Sequence, residues 1–385
     1  MTNFATFIDS DNQRAPIAQR GRAKQKRVDL RLVGLALVVT RDGGIPIVSH
    51  AYPGDRPDVT QFSAVLDELV ARYRLLVAQV ESLTVVYDAG QNSHDNHAVV
   101  EASQIGFVGS LPPSDHPDLL AIPVSSYRLV DADRFGDLSA YDSTATALGV
   151  TRRAVLTHSP TLHAAQSRGL DQTLDKARAR LAELQARLAR GNTRRPRATV
   201  EADIAAICKP RWVNQIIKVT LTGEDPATLR LSWRTDTRAR TALEQHLFGK
   251  RILFTNRDTW PIADVVAAYR SQSEVEAGFR QLKDPHLVSF SPLHHWTDQK
   301  IRVHVFYCVL ALAVAHLMRH QARQAGMPMS VRELLDHLAG IEETVLLYHD
   351  GGKGRPRARR MLTEATHTQH RLADLFHIDR YAPTR

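Results

Sequence analysis

In the segment AAYRSQSEVEAGFRQLK, residues 267–283, Tyr269, Glu276 and Lys283 stand at steps of seven. Seven residues are two helical turns less about 20°, so on a helix these side chains lie nearly on one line. Arg280 falls about 20° from Tyr269, Gln272 about 60° away on its other side, and Glu274 roughly 140° away. Val275, Phe279 and Leu282 form an adjoining apolar strip able to dock the helix on a core. The polar line thus offers a carboxylate among cations and a phenol. A second carboxylate, Asp88, closes the apolar run SLTVVYDAG at 82–90, and strand ends of α/β sheets commonly carry function. Taken singly, Asp88 also fits a turn-former before Gly90, and Glu276 a solvated helix glutamate. As a pair, from a sheet edge and a facing helix, they can share divalent cations through hard oxygen ligands. Mg2+ there would activate a water or a 3′-hydroxyl and stabilise the leaving oxygen of an in-line phosphoryl displacement. Lys283, Arg280 and Tyr269 would hold the phosphate being cut.

The whole chain suits such a substrate. Its 385 residues carry 50 Lys and Arg against 41 Asp and Glu, a net charge of +9 that favours a polyanionic partner. The segment RAPIAQRGRAKQKRVDLR at 14–31 is dense in Arg and Lys with little apolar content, which suits a nucleic-acid backbone. The two cysteines, Cys208 and Cys308, lie far apart without CxxC or His pairs, which argues against a disulfide framework or structural zinc. A reducing cytoplasm is the natural compartment. The opening MTNFATFIDS has neither the basic start nor the apolar run of a signal peptide. The most apolar run, 303–318, falls short of a membrane span and contains His304 and His316, so it predicts a buried helix.

Along the chain, LRLVGLALVVT and IPIVSHAY around RDGG predict a hairpin. A helix follows at 58–76 with Asp58 or Thr60 as N-cap, then a strand into Asp88, a helix over SHDNHAVVEASQ and the strand IGFVGSL. This is a mixed α/β pattern with a parallel pair built by crossover. Residues 111–160 read as irregular. A charged helix at 170–190 carries leucines at 170, 174, 181, 184 and 188, suited equally to a dimer coil or to packing within the same region. QIIKVTLTG and TLRLSWR predict a second hairpin, followed by the short helix RTALEQHL, the strand RILFTN and the Glu276 helix.

These residues resemble the DDE insertion-sequence transposases with an RNase H-like core. That family carries Tyr-x2-Arg-x3-Glu-x6-Lys on its glutamate helix, and Tyr269, Glu276 and Lys283 fill the first, third and fourth positions. Gln272 stands at the second, leaving Arg270 or Arg280 to replace that phosphate contact. EAGFRQLK matches the family's habit around the glutamate, and TVVYDAGQNSHDN resembles the segment ending in its second catalytic Asp, here Asp88. The stretch from RGRAKQKR to GDRPD and the helix IRVHVFYCVLALAVAHL complete a likeness over about 1–110 and 245–320. The family's first Asp would align immediately before Met1, which marks an N-terminally truncated copy without the upstream end-recognising region. Asp9, with Asp11 beside it, is the stand-in.

The resemblance implies an RNase H-like mixed sheet flanked by helices and interrupted by a β-containing insertion. The domains expected are core at 1–111 and 251–325, insertion at 112–250, and a helical or flexible tail at 326–385 that includes GGKGRPRARR. It implies Mg2+ (or Mn2+) held by Asp88 and Glu276. DNA phosphates would fall to Tyr269, Lys283, Arg280 and the basic residues Arg20, Arg22, Lys24, Lys26 and Arg27. The activity implied is cleavage at element ends and strand transfer by a cytoplasmic, nucleoid-associated homodimer with no membrane partner. The alternatives are a catalytically inactive DNA-binding remnant and a plain metal-dependent nuclease. Other histidines are set aside: His94 and His97 as surface residues, His294 and His295 as loop residues, and His304 as a hydrogen-bonded core residue.

Overall fold

The computed structural model describes residues 1–8, 11–21, 29–76, 83–190, 195–348 and 357–381. It is a mixed α/β protein dividing into two compact units, Met1–Gly106 with Arg270–Arg385, and Phe107–Tyr269.

The first unit begins with β1 (Thr2–Thr6), β2 (Gln19–Arg20), β3 (Arg31–Val39) and β4 (Pro46–Pro53). β3 is central: β1 pairs antiparallel along one side, and β2 and β4 along the other. The predicted β3–β4 hairpin forms, and Gly43 and Gly44 take the positive φ (84° and 63°) that its turn needs. Gly34, opposite Tyr52, leaves room for that ring, since a Cβ at 34 would stand 2.1 Å from it. The Tyr52 hydroxyl donates to Asp58 Oδ1 at 2.6 Å. Asp58 therefore does not cap the following helix as expected; a 3-10 turn at Asp58–Gln61 leads into α1 (Phe62–Leu76) instead. Next come β5 (Thr84–Val86) and α2 (His94–Ala102); β6 (Gly106–Leu111) follows, and all of it after Gly106 belongs to the second unit.

The second unit holds α3 (Pro117–Leu120), β7 (Arg128–Leu129), α4 (Ala132–Phe135), β8 (Ser139–Ala147), β9 (Val150–His158) and α5 (Pro160–Ala189). After these come α6 (Arg197–Cys208), α7 (Val213–Ile216), β10 (Ile217–Thr222), β11 (Arg230–Thr235), α8 (Thr237–Leu247), β12 (Lys250–Thr255) and α9 (Ile262–Arg270). Its main sheet runs β6-β12-β9-β8-β7. The region expected to be irregular thus contains a hairpin of two nine-residue strands, β8–β9. Its alternation is masked by small and polar residues, but Leu148 and Gly149 both have positive φ, as a two-residue hairpin turn requires. The α5 leucines 170, 174, 181, 184 and 188 are all buried against α6, β10 and β11, so the helix packs within its own unit.

The first unit resumes with α10 (Gln272–Lys283), α11 (Asp298–Gln324), α12 (Val331–Ala339), β13 (Glu343–Tyr348), β14 (Arg357–Leu362) and α13 (His367–Leu375). Its core joins Phe4, Val33, Leu35 and Leu37 to Phe279 and Leu282 of α10 and to Ile301, Val305, Val309 and Leu312 of α11. α11 alone among the described helices is long and apolar enough to cross a membrane, and it is buried on one face only. The basic segment is not wholly on the surface: Ala15, Ile17 and Ala18 lie in the core, and Ile17 N donates to Asp298 Oδ1 at 2.9 Å.

Candidate functional site

The helix expected over 261–283 is two helices. Ser271, with φ −65° and ψ −8°, separates α9 from α10. Tyr269 belongs to the second unit, where its hydroxyl donates to Ser110 Oγ at 3.0 Å and the Arg251 guanidinium lies 5.8 Å from its ring. Glu276, Arg280 and Lys283 share α10 in the first unit, and there the seven-residue step between Glu276 and Lys283 holds.

α10 is held along its apolar strip, on its Glu274 side and at its C-terminal end. Phe279 and Leu282 are buried against β1 and β3, with Val275 packed beside them, as the apolar strip predicts. Glu274, pointing away from that line, meets Arg319 of α11 at 3.3 Å. Gln281 meets buried His316 at 2.6 Å, and Asp284 pairs with Arg332 of α12. At the helix end, Lys283 Nζ donates to Thr2 Oγ1 at 3.0 Å and lies 5.5 Å from the Phe4 ring, joining residues 281 positions apart. Glu276 is left exposed, with no hydrogen bond or ion pair among the described residues, about 10 Å along the helix from Lys283. Arg280, one turn on, is exposed as well.

His316 ties this arrangement to the hairpin turn. Its Nδ1 lies 2.8 Å from Gly43 O, and Arg319 donates to the same oxygen at 2.8 Å. A carbonyl accepts only, so Nδ1 carries a proton; Nε2 stands 2.6 Å from Gln281 Oε1, and a neutral ring requires that amide turned so that its nitrogen donates to Nε2. Burial pushes the His316 pKa below 6.5; the hydrogen bond to the Gly43 carbonyl pulls against it, Arg319 adds to the lowering, and Glu274 opposes it more weakly. The stabilisation by the neutral ring is therefore complete above the unfolded value near 6.5 and is lost as pH falls below it. Denaturant midpoints of the wild type should drop from about pH 6.5 downward, and His316→Gln should flatten that slope. An unchanged slope would remove His316 from this role.

Asp88 begins a 3-10 turn, Ala89–Gln91, and its Oδ1 accepts from Gly90 N at 2.5 Å. Both readings of Asp88 meet here: it forms the turn, yet it is exposed and keeps Oδ2 without a hydrogen bond among the described residues. The turn is held by a residue that sequence reasoning missed. Asn96, 7% exposed, donates from Nδ2 to Gln91 O and to Val59 O, both at 2.9 Å. Asn96→Ala should cost about 1–3 kcal/mol by stranding buried carbonyls, and should loosen amide exchange at Gly90 and Gln91. Protection equal to wild type would overturn that. The only sequence signal was an Asn on the inward side of α2.

His97, next on the same inward side, is 2% exposed rather than a surface residue, 3.4 Å from the Tyr87 hydroxyl and 3.3 Å from Glu101. His94 is exposed. His304 bonds Phe290 O at 3.0 Å, as expected.

Of the basic residues, Arg20 is exposed on β2; Arg22, Lys24, Lys26, Arg27, Asp9 and GGKG lie outside the described residues. Asp11 is exposed. Among the described residues, no group of three or more His, Cys, Asp and Glu side chains converges as a metal centre. Asp88 and Glu276 are both in the first unit, and their exposed carboxylate oxygens are the donor type that Mg2+ prefers.

Scans against protein-family models and curated proteins found no match. The reading of function therefore rests on this chain's own residues.

Proposed function

We propose that the protein is a DDE-type transposase with an RNase H-like core, acting on DNA in the cytoplasm, at the nucleoid. The observation that carries the reading is the Lys283–Thr2 hydrogen bond together with the packing of Phe279 and Leu282. These contacts lay the helix that carries Glu276 against the first strand of an antiparallel β4-β3-β1 sheet. The interruption of the first unit at 107–269, between Asp88 and Glu276, also supports it.

In this reading Asp88 and Glu276 hold Mg2+ or Mn2+, with Asp9 as the stand-in third ligand. The cation supplies charge stabilisation and an activated oxygen nucleophile. Lys283 and Arg280 bind the scissile strand's phosphates. Rigid support of α10 by α11 and the sheet limits the side-chain entropy lost when DNA binds.

The test is Mg2+-dependent nicking of a plasmid by the purified chain, with joining of a labelled duplex's 3′-hydroxyl to it. Asp88→Ala should abolish both nicking and joining. Cleavage retained by that variant rejects the site; cutting without joining favours a plain nuclease. Salt-sensitive DNA binding without cleavage favours the inactive remnant.

A further inference from the structure

α11 is apolar on both sides, but among the described residues only one side is covered. Ile301, Val305, Leu312 and Ala315 face the core. On the opposite side Val303 (46%), Phe306 (58%), Tyr307 (63%), Leu310 (46%), Val314 (47%) and Leu317 (46%) are exposed. On a helix all six fall within about 60° of Leu310, one stripe nearly four turns long. No Asp, Glu, Lys or Arg occurs from 303 to 318. The exposed area is of the order of 500–600 Å2, given about 150–250 Å2 for each large side chain, near the upper bound for a patch a monomer leaves uncovered.

The stripe is also symmetric about its centre. Val303 and Leu317 lie seven residues either side of Leu310, and Phe306 and Val314 lie four either side. Tyr307, three before it, is matched by the small Ala313, three after. When two copies of a helix pack antiparallel about a two-fold axis through Leu310, each residue meets its mirror position. Val303 then meets Leu317, Phe306 meets Val314, Tyr307 meets Ala313, and Leu310 meets itself. Large side chains meet smaller ones and no like charges are opposed, although the chain as a whole carries +9. Antiparallel helices also oppose their macrodipoles favourably. A groove of about 390 Å3 along Tyr307, Leu310 and Val314, walled by Leu287, Val288 and Leu335, gives the partner's aromatic rings a place to enter.

We infer that this face of α11 is a two-fold homodimer interface in which the α11 helices of two copies pack antiparallel, centred on Leu310. Doubling the exposed stripe gives roughly 1,000–1,200 Å2 of buried surface, at the lower end of specific interfaces, which sets a micromolar rather than an obligate dimer. The interface does not depend on the proposed catalytic activity.

Sedimentation velocity of the full chain from about 1 to 100 μM tests it. The wild type should shift toward twice its 43.0 kDa mass with rising concentration. Leu310→Glu should remain monomeric with an unchanged circular dichroism spectrum and melting point, because residue 310 faces solvent in the single chain. In a Cys208→Ser background, mild oxidation should crosslink Leu310→Cys to itself. Val303→Cys should crosslink with Leu317→Cys when the two chains are mixed, but not with itself. A wild type monomeric throughout, a dimer indifferent to Leu310→Glu, or self-crosslinking of Val303→Cys would each overturn the interface. Monomeric chain binding phosphatidylcholine vesicles through Leu310 would overturn it in favour of a lipid surface.

Discussion

A Glu276→Gln chain should lose about 10^3-fold or more in Mg2+-dependent strand cleavage, while melting at the wild-type temperature. The rate follows from the proposed function: a cation stabilising transition-state charge contributes several kcal/mol, and each 1.36 kcal/mol is tenfold. The unchanged stability follows from the structure, since Glu276 is exposed and pairs with nothing among the described residues. Glu274, two positions away, should behave in the opposite way. Its carboxylate meets Arg319, and it packs against Gly44 so closely that a Cβ there would stand 2.6 Å from Glu274 Oε2. Glu274→Gln should lower stability by about 1 kcal/mol, with a smaller effect on cleavage. Cleavage rates and melting curves on the two variants separate a chemical carboxylate from a structural one. A Glu276→Gln chain that cut DNA normally would remove Glu276 from the site.

Gly34→Ala should carry the largest cost to stability, about 3 kcal/mol or more. The added methyl would lie 2.1 Å from the Tyr52 ring, which is 1% exposed and held by its hydrogen bond to Asp58. Neither can retreat cheaply: β3 is paired on both sides, and the ring is packed beneath it. Chemical denaturation measures the effect, and a double-mutant cycle with Tyr52→Leu checks its cause. In the Tyr52→Leu background most of the Gly34→Ala penalty should vanish, because the atoms it would strike are gone. A penalty independent of residue 52 would overturn that cause, and backbone entropy could not replace it, since Gly→Ala stabilises through the unfolded chain by about 0.4–1 kcal/mol.

Disruption of β3 should also reach the candidate site. Val33 and Leu35 pack with Phe279 and Leu282, so the strand that needs glycine at 34 also supports the glutamate helix. Loss of that support should loosen Lys283 from Thr2 and reduce activity well before the chain unfolds globally.

Several features of this arrangement were legible in the residues alone. The apolar strip Val275, Phe279 and Leu282 follows helical periodicity, and it is the strip that docks. The β3–β4 and β10–β11 hairpins follow from β-branched runs and turn residues. The turn at Asp88 follows from a strand end before Gly90. In each case a local rule of spacing or backbone conformation suffices. Where the chain gave no periodic signal, the reading failed: β8–β9 alternates small and polar residues with few large apolar ones, so it passed for irregular chain.

Partners were another matter. The α5 leucines predict a buried face equally well for a dimer coil and for a fold within one unit, and only the placement of α6, β10 and β11 decides for the second. The 303–318 run predicts a buried helix, but periodicity cannot tell a helix covered on one side from one covered all round. His97 read as polar surface, but α2 buries it, and the single helix read over 261–283 is two, one ending at Arg270 and the next beginning at Gln272. Spacing along the chain thus determined which residues share a face, because helix and strand periods are local properties of the backbone. What covers that face, and which polar atom meets Lys283 from 281 positions away, depends on contacts between distant segments, and those only the tertiary structure decided.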